Sequence, residues 1–471
     1  MEPIPLSRDA LSTLPASIAR PAYDMAALRP GIVHLGLGGF HRAHMARLTH
    51  DLMTLRPEAA GWGIVGVGLR AEDRALHAAL AAQDRLYALV ERDGRSEDVT
   101  VIGALAGLVG AWDGAAGVLD AIDAPDVRIV SLTVTGAGYG LNPATGTLDP
   151  TDPAIAHDLA APQAPRSAVG VLVEALRRRM AAARAPFTAM SCDNLQGNGQ
   201  LLRGAVLDFA ARRDPKLADW IAAHGRFPAS MVDRITPVTT PPDIASLAAR
   251  HGLADRTPVV CERFIQWVVE DDFAAGRPAW ETVGVQFVAD VAPYEFMKLR
   301  LLNTSHLAVA GLGHLCGYTY IHEALADAGI RRFMRALMDR ETGPTLAPVP
   351  GVDLAAYKAT LVDRFANPAI RDTVGRVNTD APLSYLLDPI RDRLAAGAGV
   401  ELLALALAAW MRRVGGAGGG DPAALFAVRS RFGDLGEDPR LVAPTARWLA
   451  SLDAAGAAAT LAWAESELGY A

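Results

Sequence analysis

Lys298, Asn303 and His306 stand within one apolar stretch, Tyr294-Glu-Phe-Met-Lys-Leu-Arg-Leu-Leu-Asn-Thr-Ser-His306. The amine of Lys298 sits among Leu299, Leu301 and Leu302, and desolvation lowers a lysine pKa. A neutral amine can act as a general base. At ~100° per helical residue, Lys298, His306 and Asn303 fall at about 0°, 80° and 140°, on one side of a helix and ~12 Å apart along its axis. That suits a groove along an elongated substrate better than a point-like metal site. An amphipathic helix with a snorkelling lysine is the competing reading. Of the 45 basic residues only three are lysines, Lys216, Lys298 and Lys358. Coding bias toward Arg accounts for the overall skew, but arginine cannot lose its proton at usable pH and an amine can.

A second cluster suits phosphate binding. Gly36-Leu-Gly-Gly-Phe-His-Arg-Ala-His44 follows the apolar run Gly31–Gly36 and precedes a helical pattern over His41–Met53. Glycines there permit positive φ and close backbone approach to a pyrophosphate at a helix N-terminus. The match to GxGxxG is incomplete, because His41 holds the third glycine position, and a plain tight turn is the alternative. Past a second β-rich run ending near Leu69 come Glu72 and Asp73, where a dinucleotide site binds the adenosine ribose hydroxyls. Carboxylates there repel a 2′-phosphate and favour NAD over NADP. Arg70 and Arg74 flank them, and all four also read as solvated loop charges.

The elements that must position these residues change character along the chain. Residues 31–36, 62–69, 99–102, 127–135 and 187–192 read as strands, alternating with helical patterns over 41–53, 74–82, 168–183 and 199–211. Such alternation predicts βαβ units and a mainly parallel sheet. From Tyr294 onward long Ala/Leu patterns dominate, over 294–312, 318–340, 353–365, 383–396, 400–413, 422–430, 440–449 and 453–467. The Gly415–Gly420 run reads as a surface loop. The expected architecture is α/β: an N-terminal Rossmann-type parallel-sheet domain over 1–285 and a mostly α-helical C-terminal domain over 286–471.

Composition narrows the function classes. The chain has 471 residues, 51% of them hydrophobic and 21% charged, so it has ample material for a core. A formal charge of −7 without a basic block argues against nucleic-acid binding. Cys192, Cys261 and Cys316 match no CxxC spacing, and the 11 histidines form no ligand cluster, so no metal site is expected. Residues 301–322 carry no Asp, Glu, Lys or Arg, yet Asn303, Thr304, Ser305 and three histidines speak against a membrane span. No signal-peptide core is visible in residues 1–30. A cytoplasmic monomer acting on a small molecule is expected.

The motifs GLGGFHRAH (36–44), GVGLRAED (66–73), SLTVTGAGY (131–139), SCDNLQGNG (191–199), MVDRITP (231–237), QWVVEDDFAAGRPAWE (266–281) and KLRLLNTSH (298–306) resemble those of the polyol-specific long-chain dehydrogenase/reductase family, the mannitol dehydrogenase family. The resemblance runs from about residue 28 to 380. It implies Lys298 as catalytic base, Asn303 as partner of the reacting oxygen, His306 holding a substrate hydroxyl and Asn194 polarising the same oxyanion. Asp233 and Arg376 would bind substrate. Gly36, Gly38, Gly39 and Phe40 would form the pyrophosphate turn, with Glu72 and Asp73 at the ribose and Asn194 also near the cofactor.

The chain departs from the family pattern at Gly136, where Glu is usual, at Arg263 in Glu262-Arg-Phe264, and at Thr304. A pocket lysine is also missing, since Asp380-Ala-Pro-Leu-Ser-Tyr385 replaces Asp-Gly-Ser-Ser-Lys. The implied reaction is metal-independent hydride transfer between NAD and a secondary alcohol. A neutral hexitol or pentitol and its 2-ketose are the expected substrates, mannitol and fructose first. Similarity over residues 345–380 favours the polyol over the sugar acid. A fructuronate reductase (D-mannonate oxidoreductase) is the alternative, and an inactive NAD-binding sensor is the alternative of another class.

Overall fold

A computed structural model of the chain describes residues 2–94, 96–142, 145–415 and 426–470. Residues 416–420 of the Gly415–Gly420 run and residues 422–425 of the helical pattern 422–430 lie outside the described residues. Two compact units divide the chain, Met1–Val291 and Ala292–Ala471.

The centre of the first unit is a five-stranded, all-parallel sheet. Its strands in chain order are β1 (Pro30–Leu35), β2 (Gly63–Gly68), β3 (Leu105–Gly110), β4 (Ile129–Leu132) and β5 (Thr188–Ser191), arranged 3-2-1-4-5 in space. This is the dinucleotide-fold order, and its switch point lies at the carboxyl ends of β1 and β4. Residues of β1 alternate between two cores. Val33 and Leu35 pack with the helices Ala116–Asp123, Ala168–Ala181 and Asn198–Arg213, whereas Ile32 packs with helix Met45–Leu55, Trp267 and Trp280. Burial on both faces explains why β1 and β2 read as continuous apolar runs.

Two sequence expectations need correction here. The strand at Val99–Ile102 does not join the parallel sheet. It extends over Glu97–Ile102 and pairs antiparallel with Tyr87–Arg92 in a separate four-stranded sheet. The helix expected over 41–53 is broken at His44 (φ −116°, ψ −92°) into Gly39–Ala43 and Met45–Leu55.

The second unit is helical. Its first helix runs from Ala292 to Leu315 without a break but changes register: Ala292–Met297 is α-helical, Lys298–Asn303 is a π-turn, and Thr304–Leu315 is α-helical again. Further helices cover Ile321–Ala326, Ala328–Leu337, Leu354–Phe365, Val374–Asp380, Ser384–Ala395, Glu401–Gly415 and Pro439–Leu468. The last is kinked at Gly456 (φ 79°). Buried Glu341 caps helix Glu401–Gly415, its two oxygens accepting the N–H groups of Leu402 and Leu403 at 2.8 Å each. Among the described residues no helix is long and apolar enough to cross a membrane.

Candidate active site

The glycine turn after β1 opens onto a cavity of about 530 Å³ whose walls include Gly36, Gly38, Leu69, Asp73 and Thr133–Thr135. Its volume is in the range of cofactor sites. Gly36 has φ +94°, and a Cβ there would stand 2.3 Å from the Thr133 carbonyl oxygen, so only glycine fits. In front of Gly38 and Gly39 the space is open: a Cβ on Gly38 would meet only Gly36 O at 4.0 Å, and one on Gly39 nothing within 4 Å. Such a bare main-chain surface suits the close approach of a pyrophosphate. Under the turn, His34 reaches Ser131 Oγ (2.8 Å) through Nδ1 and Thr133 Oγ1 (2.9 Å) through Nε2. Burial pushes its pKa down to about 3.

Of the sequence-expected cofactor residues, Gly36, Gly38 and Asp73 line this cavity, and Gly39, Phe40 and Glu72 are not among its lining residues. Phe40 stacks on His44 with ring centroids 5.0 Å apart. Asp73 Oδ2 accepts the N–H groups of Leu69 and Arg70 at 3.0 Å each, tying the end of β2 into a tight turn. Glu72 is exposed. Asn194 is exposed in the bend after β5, and Asp233 is buried at the end of strand Ser230–Asp233, opposite Gln266.

A feature that sequence reading missed lies beside Asn194. Asp193 Oδ1 accepts the N–H of Thr135 (2.8 Å), and Oδ2 accepts the N–H of Val134 (3.1 Å) and the hydroxyl of Tyr139 (2.9 Å). Thr135 has φ +63°, ψ 168°. A β-branched residue pays of order 1–3 kcal/mol to stay in that region, which glycine alone enters freely.

In the second unit the π-turn alters the geometry expected of the catalytic helix. The N–H of Thr304 bonds Leu299 O, five residues back, and the Thr304 hydroxyl reaches both Leu299 O (2.9 Å) and Tyr385 O (2.7 Å). An i→i+5 turn holds more residues than an α-helical turn and so reduces the angle swept per residue. The angle between Lys298 and Asn303 is therefore smaller than the ~140° of α-helical spacing. His306 follows Asn303 at the i,i+3 spacing of helix neighbours. Lys298 and Asn303 are buried, and among the described residues Asn303 Nδ2 has no hydrogen-bond partner. An unsatisfied buried donor costs about 1–3 kcal/mol, which an oxygen ligand would recover.

Asp372 was also missed. Its Oδ2 lies 3.4 Å from Nε2 of His306, without hydrogen-bond alignment, and its two oxygens clamp Arg376 Nε and Nη2 at 2.7 and 2.6 Å. Burial pushes this carboxyl up, but His306 and Arg376 outweigh it and hold the group well below the ordinary carboxylate range. The His306 ring also packs on Phe365, centroids 4.6 Å apart. The signal was present, an acid four residues before Arg376 in Arg371-Asp-Thr-Val-Gly-Arg376. Nearby on the π-turn, Arg300 is buried and bonded to Asp392 Oδ2 through Nη2 (2.8 Å) and Nε (3.2 Å).

Comparison with known proteins agrees with this division. Residues 30–282 match the mannitol dehydrogenase Rossmann domain and residues 290–424 the mannitol dehydrogenase C-terminal domain. The chain is 45% identical to D-mannonate oxidoreductase of Escherichia coli over 406 residues, 85% of this chain and 83% of that protein. It is 44% identical to mannitol 2-dehydrogenase of Cereibacter sphaeroides over 399 residues, 84% and 83% of the two chains. The ternary complex of Pseudomonas fluorescens mannitol 2-dehydrogenase with NAD and D-mannitol superposes with a TM-score of 0.91 at 43% identity, covering 98% of this chain and 100% of that one. An α/β unit of dinucleotide-fold order followed by a helical unit carrying Lys298-x4-Asn303-x2-His306, with both family domains matched in sequence, places the chain in the mannitol dehydrogenase family.

Proposed function

We propose that this chain is an NAD-dependent polyol dehydrogenase that interconverts a neutral hexitol or pentitol and its 2-ketose, with mannitol and fructose as the first pair. When bound, NAD supplies the hydride acceptor and, reduced, the donor. In the oxidative direction Lys298 takes the proton from the alcohol oxygen. Asn303 Nδ2, which lacks a partner among the described residues, donates to that oxygen as negative charge develops on it. With Nε2 facing Asp372, His306 turns Nδ1 toward a neighbouring substrate hydroxyl. Asn194 is proposed as a further donor to the reacting oxygen, and Asp233 as a substrate contact. Gly36 and Gly38 would carry the pyrophosphate, and Asp73 would meet the adenosine ribose.

One observation carries the choice of a neutral substrate. A sugar acid needs a cation for its carboxylate, best a bidentate arginine. The two arginines that could serve, Arg376 and Arg300, are each already bonded by a carboxylate of the chain, Asp372 and Asp392. The family's downstream lysine is replaced in the Asp380–Tyr385 segment. The alternative, reduction of fructuronate, draws on the similar identity to the Escherichia coli D-mannonate oxidoreductase. The deciding measurement is kcat/KM for fructose, xylulose and fructuronate under one set of conditions. A neutral ketose should win. Fructuronate ahead by roughly tenfold, about 1.4 kcal/mol of transition-state preference, establishes the sugar-acid reading instead. NADH binding without turnover of any of the three leaves the sensor reading.

A further inference from the structure

The wall of the nucleotide cavity that follows β4 is held in a conformation its own residues disfavour. Thr133, Val134 and Thr135 all line the cavity. Thr133 is packed against the glycine turn, its hydroxyl donating to Gly36 O at 2.8 Å. Thr135 carries φ +63° with ψ 168°, a combination that is essentially reserved to glycine. Left to itself, a threonine would relax to negative φ and reorient the wall. In the strand order 3-2-1-4-5, β4 flanks β1 on the side away from β2. The 133–135 segment thus faces the glycine turn from the side opposite Asp73.

What opposes the relaxation comes from the next strand. Asp193, buried just past the end of β5, spreads its two carboxylate oxygens over the N–H groups of Thr135 and Val134. Three further bonds fix its own position. Tyr139 donates its hydroxyl to Oδ2 at 2.9 Å, Asp193 N–H donates to Ser191 Oγ at 3.2 Å, and Asn198 Nδ2 donates to Asp193 O at 2.9 Å. Asn198 also donates to Ser230 O and accepts from Ser230 N–H, so the clamp is anchored to a second sheet.

We propose that Asp193 is a positioning residue for the cofactor: it pre-forms the Val134–Thr135 wall of the nucleotide cavity before the dinucleotide arrives, so that binding does not have to reorder it. The inference rests on the reading of that cavity as the NAD site. Its consequence is a coupling between two residues, one carboxylate that supplies the restraint and one threonine that needs it.

The test is NADH affinity by fluorescence titration, with thermal melting measured alongside. Asp193→Asn keeps the shape but turns an NH₂ donor against an N–H donor, and it should weaken NADH binding about tenfold. Thr135→Gly adopts the same backbone without strain. In the Asp193→Asn background it should therefore recover most of the lost affinity, to within about threefold of Thr135→Gly alone. An Asp193→Asn protein that binds NADH within twofold of wild type overturns the proposal, and so does a double variant no tighter than Asp193→Asn. Should Asp193→Asn not fold, amide hydrogen exchange on the ligand-free wild type decides. Protection of the Thr135 N–H before NADH is added supports the clamp, and protection that arises only on binding overturns it. Failure of wild type to bind NADH removes the functional reading itself, an outcome distinct from any of these.

Discussion

The two halves of the proposed machinery are built from different material. Around the glycine turn of the first unit the cavity is shaped by main chain, with glycines 36 and 38 and the Val134–Thr135 segment, whose two N–H groups are held by Asp193. Along the first helix of the second unit the working atoms are side chains, Lys298 and Asn303 on a π-turn and His306 one turn on. A main-chain surface is damaged by adding atoms and tolerates many losses. A side-chain column is damaged by removing atoms. The two regions should therefore fail in opposite ways, and each failure should appear in a different kinetic constant.

The largest effect is expected at Lys298. Lys298→Ala should lower kcat by a general-base factor of ~10²–10⁴ and leave NADH affinity within about twofold. Lys298→Arg should fall as far, since a guanidinium keeps its proton. Steady-state kinetics with an NADH titration on each variant separates the two constants. Near-normal turnover in either variant refutes the base assignment and removes the side-chain half of the comparison.

Acidification should separate the regions next. In the first unit, burial lowers His34 and His50 to about 3 and His41 well below its usual 6.5. With folded values below the unfolded one, their contribution is complete above pH 6.5 and is lost as pH falls toward 3. For His34 alone the loss at pH 5 is about 2 kcal/mol. In the second unit, burial raises Glu341 from 4.5 to about 7. Its contribution is complete below pH 4.5 and is lost as pH rises through 7. Between pH 7 and 5 the first unit should weaken while this term strengthens the second. Hydrogen exchange on the intact chain should show protection falling across β1 and helix Met45–Leu55 but not across helix Glu401–Gly415. Equal loss in both regions contradicts this account.

A smaller effect is expected from one methyl group. Gly36→Ala places a Cβ 2.3 Å from Thr133 O at φ +94°, so the turn must move, and NADH affinity should fall about tenfold or more. Gly252→Ala is a control for positive φ alone, since Gly252 (φ +65°) has nothing within 4 Å of a Cβ and lies outside the cavity. It should cost stability without changing NADH affinity. If both variants weaken NADH equally, the glycine turn is no more than a tight turn.

These differences follow what a sequence can carry. β1 and β2 were legible because burial on both faces leaves unbroken apolar runs. β3, Leu-Ala-Gly-Leu-Val-Gly, escaped notice because an edge strand with two glycines carries little β signal. Helix Val374–Asp380, seven residues long, is too short for a periodic pattern, and Asp372, the acid 3.4 Å from His306, went unnoticed with it. The types and spacing of Lys298, Asn303 and His306 could be read directly. Their angular placement could not, because the π-turn depends on which carbonyl the Thr304 N–H reaches. Asp193 and Thr135 lie 58 residues apart. Their partnership exists only once β4 and β5 are side by side.

The smallest expected effect concerns the choice between NAD and NADP. The sequence put Glu72 and Asp73 together at the ribose, whereas only Asp73 lines the cavity. Oδ2 of Asp73 is committed to the N–H groups of Leu69 and Arg70, and Oδ1 lies 3.3 Å from Arg70 Nη2. Arg74 is drawn off to Asp113 at 3.0 Å. The carboxylate should therefore act in two ways, repelling a 2′-phosphate and shaping the turn. Asp73→Ser removes the charge and keeps a small acceptor. It should raise the NADP-to-NAD ratio of kcat/KM several-fold, less than the tenfold that corresponds to about 1.4 kcal/mol, at some cost in NAD affinity. Glu72→Gln should change the ratio less. A larger shift at Glu72, or equal kcat/KM for both cofactors in the wild type, means that the side chains of this loop, with Arg70 foremost, govern selectivity in place of Asp73. In that case the first unit depends on side chains as much as the second does.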